Sequence, residues 1–465
     1  MVNTPSSDIG SSKRVLIVTY YWPPSGGAGV QRFLKFAKYL PGFGVEPFIL
    51  TCSNPTYPIV DASLLDEVAE SLPVFKAPSM EPFRLYSRFT GSSSGQAANP
   101  TIELGSKDLS LAQRFSRWVR ANIFIPDARV GWIFSARRKA RDLINEHKID
   151  TIITTGPPHS SHFIGAWAAK KTGAAWIADF RDPWTDIHYN RALPRNYITR
   201  KLDRRLEKKI LTGADAVTVT APGTAEYLKK HHKRQYHVIT NGYDPDDFEA
   251  ALPETGSAKT SSKTTESHEG LDETNHPSRV KLVIRHVGSV TETSVPENLL
   301  KALSGMRDLP VAAEFIGYTH PAVKKRIASY GLQDSVTIHP YVPHKEAVSL
   351  MIQADVNVVV VHRSDDSRIL IPGKLFDYLK AGKPVMVIGP PDGDAASIVQ
   401  KCSIGKAFDY DDADGPADWL RKLLKEKQQD EVPAGTMQAD KSAIETYSRR
   451  HTTRRLAGII HQIQK

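Results

Sequence analysis

The sequence predicts an α/β protein built from two doubly wound, Rossmann-like domains, and three observations carry that expectation. Buried-strand runs alternate with amphipathic helical segments up to about residue 250. The same alternation restarts near residue 280, and between the two lies a stretch almost free of large apolar residues. The length of 465 residues agrees, since one domain takes ~100–200 residues.

The first strand is read in Arg14–Thr19, a continuous β-branched run of the kind buried on both faces of a parallel sheet. The loop Tyr20–Gly29 follows, then a helix with Val30, Phe33, Leu34, Ala37 and Leu40 on one face and Gln31, Arg32, Lys35 and Lys38 on the other. Val45–Cys52 is the next strand, and Thr151–Thr155, Ala174–Ala178 and Ala216–Thr220 are three more. Strands of the second domain are expected at Lys281–Val287, Ala312–Gly317, Val336–His339, Val356–Val361 and Pro384–Ile388. The domain plan is therefore a disordered leader over 1–12, a first domain over 13–250, a disordered linker over 251–279, a second domain over 280–440 and one long terminal helix within 441–465. The first domain is interrupted by an insertion at about 79–141, which opens with a flexible Gly91–Gly95 loop. The insertion continues into a basic amphipathic stripe, with Leu111, Phe115, Trp118 and Val119 beside Arg114, Arg117 and Arg120.

Composition narrows the function. Hydrophobic residues at 40% and charged residues at 24% are ordinary globular usage, which excludes wholesale disorder. Cys52 and Cys402 stand alone, so neither a disulfide framework nor a metal-ligand cluster is expected, and a reducing, cytoplasmic setting follows. No apolar run reaches the length of a membrane span. The net charge of +10 suits an anionic membrane surface, a phosphorylated ligand or a nucleic acid, but no nucleic-acid module is recognisable.

The glycine-rich loop after the first strand is the first candidate site. Gly26, Gly27 and Gly29 let a ligand approach the backbone where helix amides and dipole attract anions. Arg32 stands where a dinucleotide fingerprint needs a small residue, and no Walker pattern is present. Two short motifs are set aside. Leu252–Gly256 matches a cell-wall sorting signal without its hydrophobic tail, and Asp409-Tyr-Asp and Asp412-Ala-Asp read as a solvated acidic loop. The histidines between His231 and His237 read as surface rather than metal ligands.

Tyr20-Tyr-Trp-Pro-Pro-Ser-Gly-Gly27 with the helix that follows resembles the opening of glycosyltransferase family 4. Thr155-Gly-Pro-Pro-His-Ser-Ser-His162, Trp176-Ile-Ala-Asp-Phe-Arg-Asp-Pro-Trp184, Thr240-Asn-Gly-Tyr-Asp244 and Ile371–Pro384 resemble further motifs of that family in the same order. The resemblance implies the GT-B fold, two such domains facing a cleft with a C-terminal helix crossing back to the first. It implies metal-independent transfer of a hexose-like sugar, with retention, from a nucleotide-diphosphate sugar serving as co-substrate and with no further cofactor. A glycan or lipid-linked acceptor, in surface polysaccharide or glycolipid synthesis, would be the other partner.

Site residues follow from the same resemblance. Asp377 keeps the spacing to Gly382 and Pro384 that places a ribose-binding acid, Lys374 on the same turn would meet the diphosphate, and Gly288 is a further donor-binding candidate. His159, His162, Asp179, Arg181 and Asp182 fall at strand ends of the first domain and are the candidate acceptor contacts. Two departures stand out. Ile369 occupies the place of the family's usual first acid, and the segment after Gly288 lacks its basic residue, for which Arg285, Arg363 and Arg368 are substitutes. These departures keep an inert nucleotide-sugar-binding scaffold in view, and the fold that the resemblance implies is shared by a second rival, a sugar-nucleotide epimerase. The basic stripe at Leu111–Arg120, helped by Arg137, Arg138, Lys139 and Arg141, suits peripheral contact with the inner face of an anionic membrane.

Overall fold

In a computed structural model, residues 12–57, 60–80, 111–250, 282–412, 414–429 and 439–463 are described. The leader, the Gly91–Gly95 loop and the linker expected over 251–279 lie outside the described residues, apart from Ser12. The chain divides into two units, Met1–Asn241 with Arg449–Lys465, and Gly242–Ser448. The division falls ahead of residue 250, where composition suggested it, because Tyr243 already pairs with the end of the second unit. Its N–H donates to the Tyr447 carbonyl at 3.2 Å and its hydroxyl to Glu445 at 3.0 Å.

The first unit holds a parallel sheet of β1 (Lys13–Val18), β2 (Val45–Cys52), β3 (Val74–Ala77), β4 (Thr151–Gly156), β5 (Ala175–Phe180), β6 (Ala216–Val219) and β7 (His237–Val238). Their spatial order is β3-β2-β1-β4-β5-β6-β7. Successive residues of β1 serve opposite faces: Leu16 and Val18 join one apolar cluster, Val15 and Ile17 the other. That two-sided burial is why the run reads as continuously apolar rather than alternating. Helices α1 (Ala28–Tyr39), α2 (Leu111–Ile123), α3 (Ile133–Glu146), α4 (Ser160–Thr172), α5 (Tyr197–Gly213) and α6 (Pro222–His231) belong to this unit.

Two expectations change here. Half of the polar face assigned to α1 is buried as well: Arg32 is fully enclosed against Asp179 and Lys35 pairs with Glu67 at 2.6 Å, while Lys38 stays exposed. The insertion is also shorter than the sequence suggested, since α3 is a core helix that buries Ala136, Ala140 and Leu143. Arg137 lies over the Phe134 and Trp167 rings and Lys139 over Phe75, so these cations cover aromatic surface of the fold instead of joining the stripe on α2.

The second unit repeats the plan with β8 (Leu282–Val287), β9 (Val311–Ile316), β10 (Val336–His339), β11 (Val356–Val360), β12 (Val385–Ile388) and β13 (Gly405–Phe408), in the order β10-β9-β8-β11-β12-β13. Its helices are α7 (Glu297–Ser304), α8 (Pro321–Ser329), α9 (His344–Gln353), α10 (Lys374–Ala381), α11 (Asp394–Lys401) and α12 (Gly415–Gln428). Both sheets are parallel throughout, with the strand-order reversal beside their first strand, at β1/β4 and β8/β11.

The terminal helix is not continuous. A short turn, Lys441–Glu445, ends the second unit, and α13 (Arg449–Gln462) belongs to the first. Between them Tyr447 is buried and its carbonyl accepts from the Tyr243 N–H instead of from a helical partner, and Ser448 forms a parallel bridge with Tyr243. Leu456, Ile459 and Ile460 of α13 pack into the cluster of Val30, Phe33, Leu34 and Ala37 on α1. Among the described residues no helix is long and apolar enough to cross a membrane.

Candidate functional site

In the second unit, β8 runs directly into Gly288, whose φ of +140° is open to glycine and strained for other residues. Space excludes a side chain as firmly as the dihedral does. A Cβ at Gly288 would overlap the end of the Lys374 side chain, which lies against that backbone from the first residue of α10. Burial brings the Lys374 ammonium down to about 8, against the upward pull of Asp377. Asp377 sits in the first turn of α10, where the free amides also favour negative charge. Behind them the Tyr378 hydroxyl accepts from the Val287 N–H at 2.9 Å, which ties α10 to the end of β8. His286 pairs its Nδ1 with the Val358 carbonyl at 2.9 Å, and burial together with Lys374 takes it down to about 4, so it is neutral.

The position after Gly288 that lacks a basic residue thus has a cation beside it, supplied by Lys374 from another element. The three arginines considered as substitutes are engaged with carboxylates. Arg285 pairs with Glu314 at 2.6 Å, Arg363 with Asp411 at 2.7 Å and Arg368 with Asp392 at 2.9 Å. Ile369 ends a short turn, Ser367–Ile369, and is half-buried. In the acidic loop Asp411 holds Arg363, while Asp412 accepts from the Gly415 N–H at 2.9 Å at the start of α12. No cluster of three or more metal-ligating side chains exists among the described residues.

In the first unit the glycine-rich loop links β1 to α1, with Gly27 as the cap of the helix. Gly26 and Gly29 are half-buried and Gly27 is exposed. A Cβ at Gly29 would overlap the Arg181 guanidinium, so the absence of a side chain there lets an arginine lie on the loop. Arg181 is held by the carbonyls of Gly156 and Pro157. A cation beside the amides of a helix start, with no acid in its first turn, makes an anion-attracting corner of the first unit.

The remaining first-unit candidates separate into two groups. His159 and His162 come together in an aromatic stack, His159 on Trp184 at 4.8 Å and His162 on Phe180 at 4.6 Å between ring centres. Burial holds both imidazoles neutral: His162 is lowered to about 3 and His159 falls well below its ordinary value. Thr154 Oγ1 accepts from Trp176 Nε1 at 2.9 Å and lies 2.9 Å from His162 Nδ1. Its one proton is therefore available to Nδ1, an assignment that places the His162 proton on Nε2. Among the described residues that nitrogen and both of His159 lack partners, and His159 Nδ1 and His162 Nε2 both face the Gly156 backbone.

Asp179 belongs to a different environment. It receives Arg32 at 2.8 Å, Thr218 at 2.7 Å and Thr155 at 3.0 Å, all buried. Burial pushes its carboxyl up, but Arg32 and these hydrogen bonds outweigh it and hold the group below the usual carboxylate range. It joins α1, β4, β5 and β6, a structural use of its oxygens. Asp182 accepts from the Tyr189 hydroxyl at 3.1 Å.

Sequence reasoning missed the groups that brace this region. Asp203 accepts from Trp184 Nε1 at 2.9 Å and pairs with Arg195. Glu207 accepts from the Trp184 and Thr185 amides and the Thr185 hydroxyl, and burial raises it to about 7. Asp127 accepts from the Ser160 N–H at 2.8 Å at the start of α4. The last pair is 33 residues apart, so no local spacing advertises it.

Each unit holds a parallel sheet whose first strand runs into a glycine turn with a cation lying on it, and two such Rossmann-like units make up the GT-B fold. The solved structures similar to this chain share that fold. A glycosyltransferase from Rickettsia africae matches with a TM-score of 0.61 at 15% identity, covering 98% of this chain and 100% of its own. Sucrose-phosphate synthase from Thermosynechococcus elongatus scores 0.60 at 14% identity, with 97% and 98% covered. HepE from Anabaena, in complex with UDP and glucose, scores 0.59 at 14% identity, with 97% and 100% covered. No curated protein matches the sequence. Residues 96–247, about a third of the chain, match the model of Glycosyltransferase Family 4.

Proposed function

We propose that the protein transfers a sugar, with retention at its anomeric carbon, from a nucleotide-diphosphate donor to a glycan or lipid-linked acceptor in surface polysaccharide or glycolipid synthesis. The observation that carries this reading is the Lys374 ammonium lying on Gly288 at the start of α10, one turn ahead of Asp377. A diphosphate gains most from a cation and free helix amides as its leaving-group charge develops, and Asp377 would accept from ribose hydroxyls. UDP is the first nucleotide to try, because HepE shares the fold and was solved with it. In the first unit the neutral imidazoles of His159 and His162 serve as hydrogen-bond donors or acceptors, not as charged acids.

Calorimetry with UDP, GDP and ADP tests the donor site. Lys374→Ala and Asp377→Ala should each weaken the preferred nucleotide by about tenfold or more, at ~1.5–3 kcal/mol for a charged hydrogen bond, with the melting curve preserved. Unchanged affinity in both variants removes this placement. Protonated Lys374 is the binding form, so affinity should stay level below pH 7 and weaken as the pH rises through about 8. Lys374→Met should lose that dependence. The anomeric configuration of the first product, read by NMR, decides retention.

A further inference from the structure

The large apolar side chains left in solvent are unevenly placed. Phe115, Trp118 and Ile123 stand exposed on α2, and Tyr197, Ile198 and Leu202 on α5, with Ile198 77% and Tyr197 75% accessible. The two helices are joined end to start. Asn122 donates to the Pro194 carbonyl at 2.9 Å and accepts from the Asn196 N–H at 2.8 Å, while Asn196 caps α5 by accepting from Thr199. Ile123 and the Tyr197–Ile198 pair therefore lie on neighbouring surface.

The charges that the two helices themselves expose have one sign. Helix α2 carries Arg114, Arg117 and Arg120 and no acid in Leu111–Ile123. Helix α5 carries six exposed basic residues, Arg200, Lys201, Arg204, Arg205, Lys208 and Lys209, while both of its acids turn inward, Asp203 to Arg195 and Glu207 to Thr185. Asp186 reaches Arg204 at 3.5 Å.

We infer that α2 and the outward face of α5 dock the protein on an anionic lipid bilayer. Aromatic and aliphatic side chains between cations of one sign match the headgroup boundary, where rings and branched chains enter the acyl edge and the basic heads meet lipid phosphate. A nucleic acid would use the charge but leave Ile123, Ile198 and Leu202 in water. The inference goes beyond the transferase reading and touches none of its donor residues.

Co-sedimentation of the full chain with phosphatidylcholine vesicles, with and without phosphatidylglycerol, tests it. The wild type should pellet with the anionic vesicles at low salt, stay in solution with neutral ones and be released as salt rises. A basic residue near an anionic surface contributes about fivefold in partitioning, so Arg200→Glu, Lys201→Glu and Arg205→Glu together should lower it by about a hundredfold or more. Trp118→Ser with Ile198→Ser should lower it several-fold at unchanged net charge. Failure of the wild type to bind anionic vesicles, or wild-type binding by either combination, overturns the inference. So does retention of a phosphate-bearing RNA by the Ser variant at wild-type strength, if vesicle binding is absent. UDP calorimetry on the same samples separates the readings: bound UDP without vesicle binding overturns docking alone.

Discussion

His162 shows how burial turns one side chain into a constraint on the whole fold. Its folded value of about 3 lies below the unfolded value of 6.5, so the unfolded chain takes up a proton first as the pH falls. The stability that depends on it is complete above pH 6.5 and is lost progressively toward pH 3. Glu207 runs the other way: its folded value of about 7 exceeds the unfolded 4.5, so its contribution falls as the pH rises through that window. A comparison of variants isolates the histidine. Between pH 7 and pH 5 the wild type should lose about 2 kcal/mol more than His162→Phe, measured by denaturant unfolding. Equal losses would mean that the imidazole is not held neutral. Gly288→Ala combines strain at positive φ with displacement of Lys374, so it should cost ~1–3 kcal/mol and also weaken nucleotide binding.

At the scale of elements, α1 is attached to the sheet by a buried ion pair as well as by apolar contact. Arg32 spans to Asp179 on β5 and to the Thr240 carbonyl at 3.1 Å. Arg32→Met leaves Asp179 buried and unpaired and should cost ~3–5 kcal/mol in chemical denaturation. Adding Asp179→Leu to that variant should recover a large part, and no recovery would show that the pair is not the unit of the effect. Periodicity put Arg32 on a polar face because a helical pattern reports residue type and cannot see an ion pair 147 residues away in the chain. Helix α3 was hidden in the same way: two of its four buried residues are alanines, which carry little apolar signal, while arginines and a lysine dominate its sequence.

For the whole molecule, the division of labour follows the two cores. Gly288, Lys374 and Asp377 all lie in 242–448, which has its own sheet and two apolar clusters. Expressed alone, that fragment should fold cooperatively and bind the nucleotide with nearly the affinity of the full chain. The first unit should not tolerate loss of its terminal helix, because Leu456, Ile459 and Ile460 fill the cluster on α1. Truncation after residue 448 should lower the melting temperature of the first unit or leave it insoluble, at ~2–5 kcal/mol for each large apolar side chain removed from a core. Scanning calorimetry of the truncated protein would decide it, and an unchanged first transition would show that the helix is dispensable.

What the sequence determined by itself was the alternation of strands and helices, and with it the two-sheet plan, because strands buried on both faces write long apolar runs into the chain. Val45–Cys52 and Val336–His339 were legible to the residue. The short strands β3, β7 and β13 were not: β7 has only two residues, and a lysine interrupts the apolar run in β3 and in β13. Of the candidate site, the placing of Lys374 and Asp377 on one turn of α10 was legible because that motif is local. Tertiary structure alone decided that Lys374 supplies the charge beside Gly288, that Asp179 is consumed by Arg32, that two histidines share a neutral stack, and that the acids of α5 turn inward and leave its outer face basic. The reason is common to all four: each depends on which distant side chain occupies the neighbouring volume, and that is a property of packing, which one-dimensional spacing does not encode.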